Sequence, residues 1–268
     1  MSETDKTFAG SIPALYDRHL GPMLFEPYAL DMAERVARLA PKRILEIAAG
    51  TGIVTRALAR ALPTVPIMAT DLNQPMLDHA SAHISAHTIT WRQADAQALP
   101  FDEAEFDVVV CQFGVMFFPD KAKAYGEARR VLAPGGHFLF SVWDRIEENE
   151  IADLISRAVA ALFPKDPPAF LARTPHGYHD LAAISDTLKR GGFSAVRGET
   201  VAKRGRAPSP RDPAIGFCQG SPLRSEIEAR DKSRLEEATD AAAEAVAQRL
   251  GRGPIDGKIQ AHVVMAAR

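Results

Sequence analysis

The segment Arg43-Ile44-Leu45-Glu46-Ile47-Ala48-Ala49-Gly50-Thr51-Gly52 decides the fold. A short apolar run reaches Ala49. Two glycines follow at alternate positions, and a helical pattern runs over 53–62. The spacing predicts a strand, a tight turn and a helix. Glycines placed between a strand and a helix let a ligand approach the backbone closely. Such turns are common, so the chemistry of this one rests on what surrounds it.

Outward from this segment the same grammar repeats. Residues 66–70 read as a second short strand with Asp71 at its end, and 74–83 as a helix. Residues 88–93 alternate as a third strand. The run 106–111 (FDVVVC) is nearly all apolar, as expected of a strand covered on both faces. Residues 121–132 read as a helix stopped by Pro134-Gly135-Gly136, and 137–143 (HFLFSVW) as a fifth strand. Upstream, 29–39 has a broad apolar helical face that ends at Pro41. Strand and helix therefore alternate through 41–144, which argues for a parallel, doubly wound α/β sheet.

After Trp143 the rhythm loosens. Residues 147–163 form an amphipathic helical pattern, followed by Pro164, Pro167, Pro168 and Pro175. A helix over 180–189 ends at Gly191-Gly192, and 193–201 reads as a strand. Residues 203–213 are basic and proline-rich and read as a solvated loop. Residues 222–249 are an alanine-rich helical region, and 258–266 (KIQAHVVMA) a last strand. The expected organisation is a single domain, 1–268, with a sheet core at 41–145, 180–204 and 256–268. Helical lid segments are expected at 1–28, 146–178 and 205–255.

The composition narrows the class. With 46% hydrophobic and 25% charged residues in 268, the chain can bury a large core without covalent staples. The formal net charge of -2 gives no basic footprint, so no nucleic-acid partner is expected. Cys111 and Cys218 are too few for a disulfide framework or a cysteine-rich zinc site. The start MSETDKTFAGS lacks the basic and apolar regions of a signal peptide. No stretch is apolar for the roughly 18 residues a membrane span needs. A soluble cytoplasmic protein, monomer or homodimer, is expected.

Two nucleotide chemistries compete at the glycine turn. A dinucleotide motif wants a third glycine where Thr55 stands, and an acid about 20 residues on, which Asp71 satisfies. S-adenosylmethionine explains two further acids. Glu46 lies inside an otherwise apolar strand, where an ionised carboxylate is costly unless paired. Asp95 follows the third strand. Acids at successive strand ends suit a ligand carrying an ammonium and a sulfonium, and oppose one carrying two phosphates.

The motifs ILEIAAGTG, ATDLNQPML, RQADAQALPF, FDVVVCQFGVMFF and RRVLAPGGHFLFSVWD occur in the order and approximate spacing of one family. Over 43–143 the chain resembles the class I, seven-stranded, Rossmann-like S-adenosylmethionine-dependent methyltransferases. The resemblance implies strand order 3-2-1-4-5-7-6 with the last strand antiparallel. It also implies S-adenosylmethionine as cofactor and S-adenosylhomocysteine as product. Ala48 stands where many members have glycine. By position, Glu46, Ala48 and Gly50 would line the methionine moiety, with Glu46 partly bracing the turn, and Gly52 would also be cofactor-binding. Asp71 would accept from the ribose hydroxyls with Leu72 against the adenine. Asp95 would accept from the adenine amino group beside the Ala96 backbone, and Cys111 and Gln112 would lie by the methyl group. The bland alternatives are a solvated strand-end acid for Asp71, a helix cap for Asp95 and a small buried wall for Cys111.

Other residues read as weaker candidates. His79, His83 and His87 are spaced four apart without the pattern of a metal helix, and read as a solvated face. His176, Tyr178 and His179 sit in the expected lid, where a proton-accepting group would serve an acceptor; a surface role competes. Tyr16 lies in a stretch similar to one that closes over the cofactor in related methyltransferases, with core packing as the alternative. Phe113, Met116, Phe117, Phe118, Trp143, Phe170, Tyr178 and Phe217 form either an apolar acceptor pocket or plain core. Lys203, Arg204, Arg206 and Arg211 read as a solvated loop, with binding of an acidic partner as the alternative. The expected activity is in-line methyl transfer to a small-molecule acceptor, with no metal required. A non-catalytic cofactor-binding protein and a nicotinamide oxidoreductase are the alternatives.

Overall fold

The computed structural model describes residues 12–268; residues 1–11 of the first expected lid segment lie outside the described residues. The chain opens with α1 (Ile12–Leu15), a π-helix (Tyr16–Phe25) and α2 (Glu26–Ala37). The alternating region follows as β1 (Ile44–Ile47), α3 (Ile53–Ala61), β2 (Ile67–Asp71), α4 (Gln74–His83), β3 (Ile89–Gln93), β4 (Phe106–Gln112), α5 (Lys121–Val131) and β5 (Leu132–Trp143). Then come α6 (Glu150–Leu162), α7 (Phe170–Arg173), α8 (Leu181–Arg190), β6 (Ala195–Ala207), α9 (Arg211–Cys218), α10 (Leu223–Asp231), α11 (Leu235–Leu250) and β7 (Ile255–Ala267).

One seven-stranded sheet has the order β3-β2-β1-β4-β5-β7-β6. Strands β1 to β5 pair in parallel. Strand β7 runs against β5: Asp144 N donates to Gln260 O at 3.1 Å, and Arg268 N to Gly136 O at 3.0 Å. The order implied by the sequence motifs is the order observed. All four residues of β1 are buried, because this strand is flanked by β2 and β4 and covered on both faces. Leu45 pairs with Met68 on one side and Val109 on the other.

The chain divides into two compact units. One holds residues 28–142, 179–201 and 261–268. In it, Tyr125 of α5 packs on Phe138 and Phe140 of β5, and Phe193 stacks on Phe138 at 5.9 Å. Asp180 caps α8 by accepting from Ala182 N and Ala183 N. The other unit holds, among the described residues, 12–27, 143–178 and 202–260. There Ile151, Ala152, Ile155 and Val159 give α6 a buried face at helical spacing. Helix α9 approaches the π-helix through Gly216, where a Cβ would lie 2.5 Å from Leu20 Cδ2.

Three local expectations change. The helix over 121–132 ends one residue early. Leu132 opens β5, and the Pro134-Gly135-Gly136 segment is carried inside that strand beside a register shift against β4. The basic run is not all loop: β6 continues to Ala207, with Arg204 and Arg206 held by Asp256. Arg211 pairs with Glu236 and Asp240. The helical stretch over 222–249 is two helices, broken where the Asp231 carboxylate accepts from Ser233 N at 2.9 Å. Among the described residues, no helix is long and apolar enough to cross a membrane.

Candidate functional site

The turn after β1 is built from left-handed residues. Ala48, Gly50 and Gly52 have φ of 55°, 57° and 80°. Glycine adopts this region freely, whereas alanine does so at a cost. A Cβ on Gly52 would also lie 2.5 Å from Ile84 Cδ1 and 3.0 Å from Trp91 Cη2, so glycine is needed there twice over. A Cβ on Gly50 would meet nothing within 4 Å. Its backbone therefore faces open space that a ligand can enter. The Ala48 methyl is accommodated from below. Gly114, after β4, leaves room for it, since a Cβ there would stand 2.5 Å from Ala48 Cβ and 2.7 Å from Cys111 Sγ.

Asp71 at the end of β2 ties this turn to the next one. One carboxylate oxygen accepts from Gly50 N at 2.9 Å and the other from Asn73 N at 2.8 Å. An ionised carboxylate has about four lone-pair sites, so acceptor capacity remains on both oxygens. Asp71 is 7% exposed, and burial pushes its carboxyl up from the usual range against the opposing pull of those amides. The next residue, Leu72, is 46% exposed, one of the few large apolar side chains left open to solvent.

Glu46 sits within β1 at 2% exposure. Its Oε2 accepts from Thr55 Oγ1 of α3 at 2.6 Å. Burial, with the Asp71 charge adding to it, raises its carboxyl to about 8 against the opposing pull of the Thr55 hydroxyl and backbone amide. Among the described residues no Lys, Arg or His lies within ion-pair distance of Glu46 or Asp71. Two buried carboxylates without a cation stand on adjacent strands beside an approachable backbone turn. Thr55, the residue that breaks a dinucleotide pattern, is the residue that holds Glu46. The sequence marked Thr55 as a misfit without giving it a task.

The remaining cofactor-side candidates are placed as follows. Asp95 is exposed and accepts from Gln97 N at 2.8 Å, bracing a turn that closes at Ala98 rather than capping a helix. Ala96 lies in that turn. Cys111 is fully buried, and burial pushes its thiol far above the ordinary range, which removes it as a nucleophile. Gln112 is half-buried at the end of β4. Phe113 follows with φ of 54°, a left-handed aromatic residue held edge-on against Tyr28 at 5.3 Å. Nothing in the sequence announced that conformation.

In the other unit, four aromatic rings form a row. Tyr16 stacks on Phe25 at 4.8 Å, Phe25 tilts against Trp143 at 6.1 Å, and Trp143 lies 6.0 Å from His176. His176 is 5% exposed, and its Nδ1 donates to Asp144 O at 2.7 Å. A carbonyl only accepts, so a neutral ring here carries its basic lone pair on Nε2. Tyr178 and His179 are half-buried, and Phe170 and Phe217 are core residues. His79 and His83 stack at 4.3 Å, and His83 Nδ1 lies 2.7 Å from His79 O. Among the described residues no group of three metal-ligating side chains converges.

A methyltransferase-domain family model matches residues 45–140. The chain is 32% identical over 166 residues to a ubiquinone/menaquinone biosynthesis C-methyltransferase UbiE of Burkholderia vietnamiensis, covering 58% of this chain and 68% of that protein. The chain belongs to the class I S-adenosylmethionine-dependent methyltransferase family. Within this methyltransferase family it is also 43% identical over 102 residues to the demethylmenaquinone methyltransferase of Thermus thermophilus. That match covers 37% of this chain and 46% of the relative, so the chain spans about half the length of some curated relatives it matches. The crystal structure of the YcgJ protein from Bacillus subtilis shares the fold at a TM-score of 0.59 and 20% identity, covering 90% of this chain and 98% of that one.

The family's cofactor fits the residues present. S-adenosylmethionine brings an ammonium, a sulfonium, two ribose hydroxyls and a flat base. The turn offers uncompensated buried carboxylates, an open backbone at Gly50 and an exposed Leu72 beside Asp71. A pyrophosphate would meet the same carboxylates as repulsion.

Proposed function

We propose that this methyltransferase-family protein transfers a methyl group from S-adenosylmethionine to a ring-bearing small molecule. The pair of buried carboxylates without a counter-cation at the glycine turn carries the cofactor half of this reading. Glu46, Ala48, Gly50 and Gly52 would hold the methionine portion, and Asp71 would accept from the ribose. Leu72, Asp95 and Ala96 would hold the adenine, with Cys111 and Gln112 as the wall beside the methyl group. When bound, the sulfonium supplies an already activated methyl group. The protein's task is then to align the acceptor with the methyl–sulfur bond and exclude water.

The row Tyr16, Phe25, Trp143 and His176 supports a flat, apolar acceptor. The names of the quinone-pathway relatives point toward the same chemistry. His176, oriented by Asp144 O, would take a proton from an acceptor hydroxyl, and Tyr178 and His179 would help select the acceptor. Calorimetry with S-adenosylhomocysteine and with reduced nicotinamide tests the cofactor half. Binding of the first at a micromolar scale, roughly -8 kcal/mol, is expected. Heat with nicotinamide alone would overturn it. Turnover to S-adenosylhomocysteine over a panel of phenolic and aliphatic acceptors tests the rest. Turnover on aliphatic amines alone would overturn the ring-bearing class.

A further inference from the structure

Glu46 and Thr55 do something that neither a structural brace nor a simple counter-charge requires. A glutamate needed only to hold the turn would bond to turn amides, as Asp71 does. Glu46 instead bonds to Thr55 of the following helix, through its hydroxyl at 2.6 Å and its backbone amide, rather than to the glycine-turn amides. A glutamate standing permanently ionised at 2% exposure would need a cation or a full set of donors, and it has only the hydroxyl and the backbone amide of one residue, Thr55. The titratable groups that bear on it are Asp71 from β2 and the Cys111 thiol from β4, and neither supplies positive charge. Without ligand, a proton is the least costly way to complete this site.

Resting on the cofactor reading above, we propose that the Thr55–Glu46 pair is a cation-for-proton exchange site. The ammonium of an adenosyl amino-acid ligand enters as the Glu46 carboxyl proton leaves to solvent. The balance is one proton released to buffer per ligand bound, with the ligand's ammonium unchanged. Thr55 is a positioning residue in this scheme: its hydroxyl donates to the carboxylate once the proton has gone. The pair gives the turn a selectivity for ligands that carry the amino-acid portion as well as the nucleoside.

The test is isothermal calorimetry at pH 7.0 in phosphate and in Tris, whose different ionisation heats count protons. The probes are S-adenosylhomocysteine and 5′-methylthioadenosine, which lacks the ammonium. A carboxyl held at about 8 is roughly nine-tenths protonated at pH 7, so S-adenosylhomocysteine should release about 0.9 proton. Methylthioadenosine should bind without release, and Glu46→Gln should bind S-adenosylhomocysteine without release. Thr55→Val, which keeps the carboxyl, should move the pH at which affinity levels off upward. Proton-neutral binding of S-adenosylhomocysteine by the unaltered protein overturns the exchange while leaving the cofactor reading intact. So does equal release with methylthioadenosine, or release surviving in Glu46→Gln. Absence of any binding overturns the cofactor reading and the exchange with it.

Discussion

Two sets of acids in this molecule behave in opposite ways. In the unit holding α9 to α11, acids are matched within the chain. Glu226 accepts from Ala169 N, Phe170 N and Arg173, Asp256 holds Arg204 and Arg206, and Asp240 and Glu236 hold Arg211. At the glycine turn, Glu46 and Asp71 are far more deeply buried and meet no cation. Exposed pairs contribute little to stability and need no ligand. Buried carboxylates without a counter-cation cost stability, and a fold carries two of them on adjacent strands only where something else completes them. The difference separates acids already matched within the chain from acids that wait for a ligand.

The largest expected effect that sharpens this contrast is Asp71→Ala. A carboxylate accepting from hydroxyls makes charge-assisted bonds of about 1.5–3 kcal/mol, so cofactor affinity should fall about tenfold to a hundredfold. Circular dichroism should show a folded chain. Unchanged affinity in calorimetry would return Asp71 to the class of turn braces.

Next is a pH effect on the ligand-free protein. Glu46 has its carboxyl raised in the folded state to about 8 from 4.5, so the folded state binds the proton more tightly than the unfolded chain. Stability from this group is therefore greatest below about 4.5 and declines as pH rises toward 8. Between pH 5.5 and 7.5 the decline is about 2.5 kcal/mol, from the rule of 1.36 kcal/mol per pH unit per proton. Denaturant melts should show it in the parent and not in Glu46→Gln. Parallel pH profiles for the two proteins would mean that Glu46 is already compensated.

On the other side of the comparison, Glu226→Ala should cost about 1 kcal/mol by uncapping α7, and leave cofactor affinity unchanged. A shared loss of affinity would show that acids of the second unit also serve the ligand. The smallest effect is Ala48→Gly. Relief of a left-handed alanine, offset by the lost methyl contact and the freer unfolded chain, should stabilise by roughly 0.5 kcal/mol. A destabilised variant would show that the Ala48 methyl on Gly114 outweighs the backbone cost.

The sequence carried the sheet, because β1, β2, β4 and β5 are short apolar runs each bounded by turn residues. It also marked the end of β2 at Asp71, where the apolar pattern changes abruptly. It did not carry the role of Thr55, whose meaning depends on a carboxylate nine residues away on a different element. Nor did it carry Gly114, needed because Ala48 approaches it in space. The extension of β6 to Ala207 was hidden by arginines that look like loop residues until Asp256 pairs with them. The π-helix at Tyr16–Phe25 leaves no trace either, since its wider turn breaks the 3.6-residue spacing by which helices are read.

The bond from Gly50 N–H to Asp71 Oδ2, at 2.9 Å, has a spectroscopic consequence. An amide proton donated to a full carboxylate is drawn further from its nitrogen than one donated to a carboxyl that has shared its charge with a ligand's hydroxyls. The Gly50 resonance in a proton–nitrogen correlation spectrum is thus a natural gauge of how much of the Asp71 charge is still unspent. It should lie downfield in the free protein and move upfield in proportion to occupancy, and it needs no label beyond the isotope.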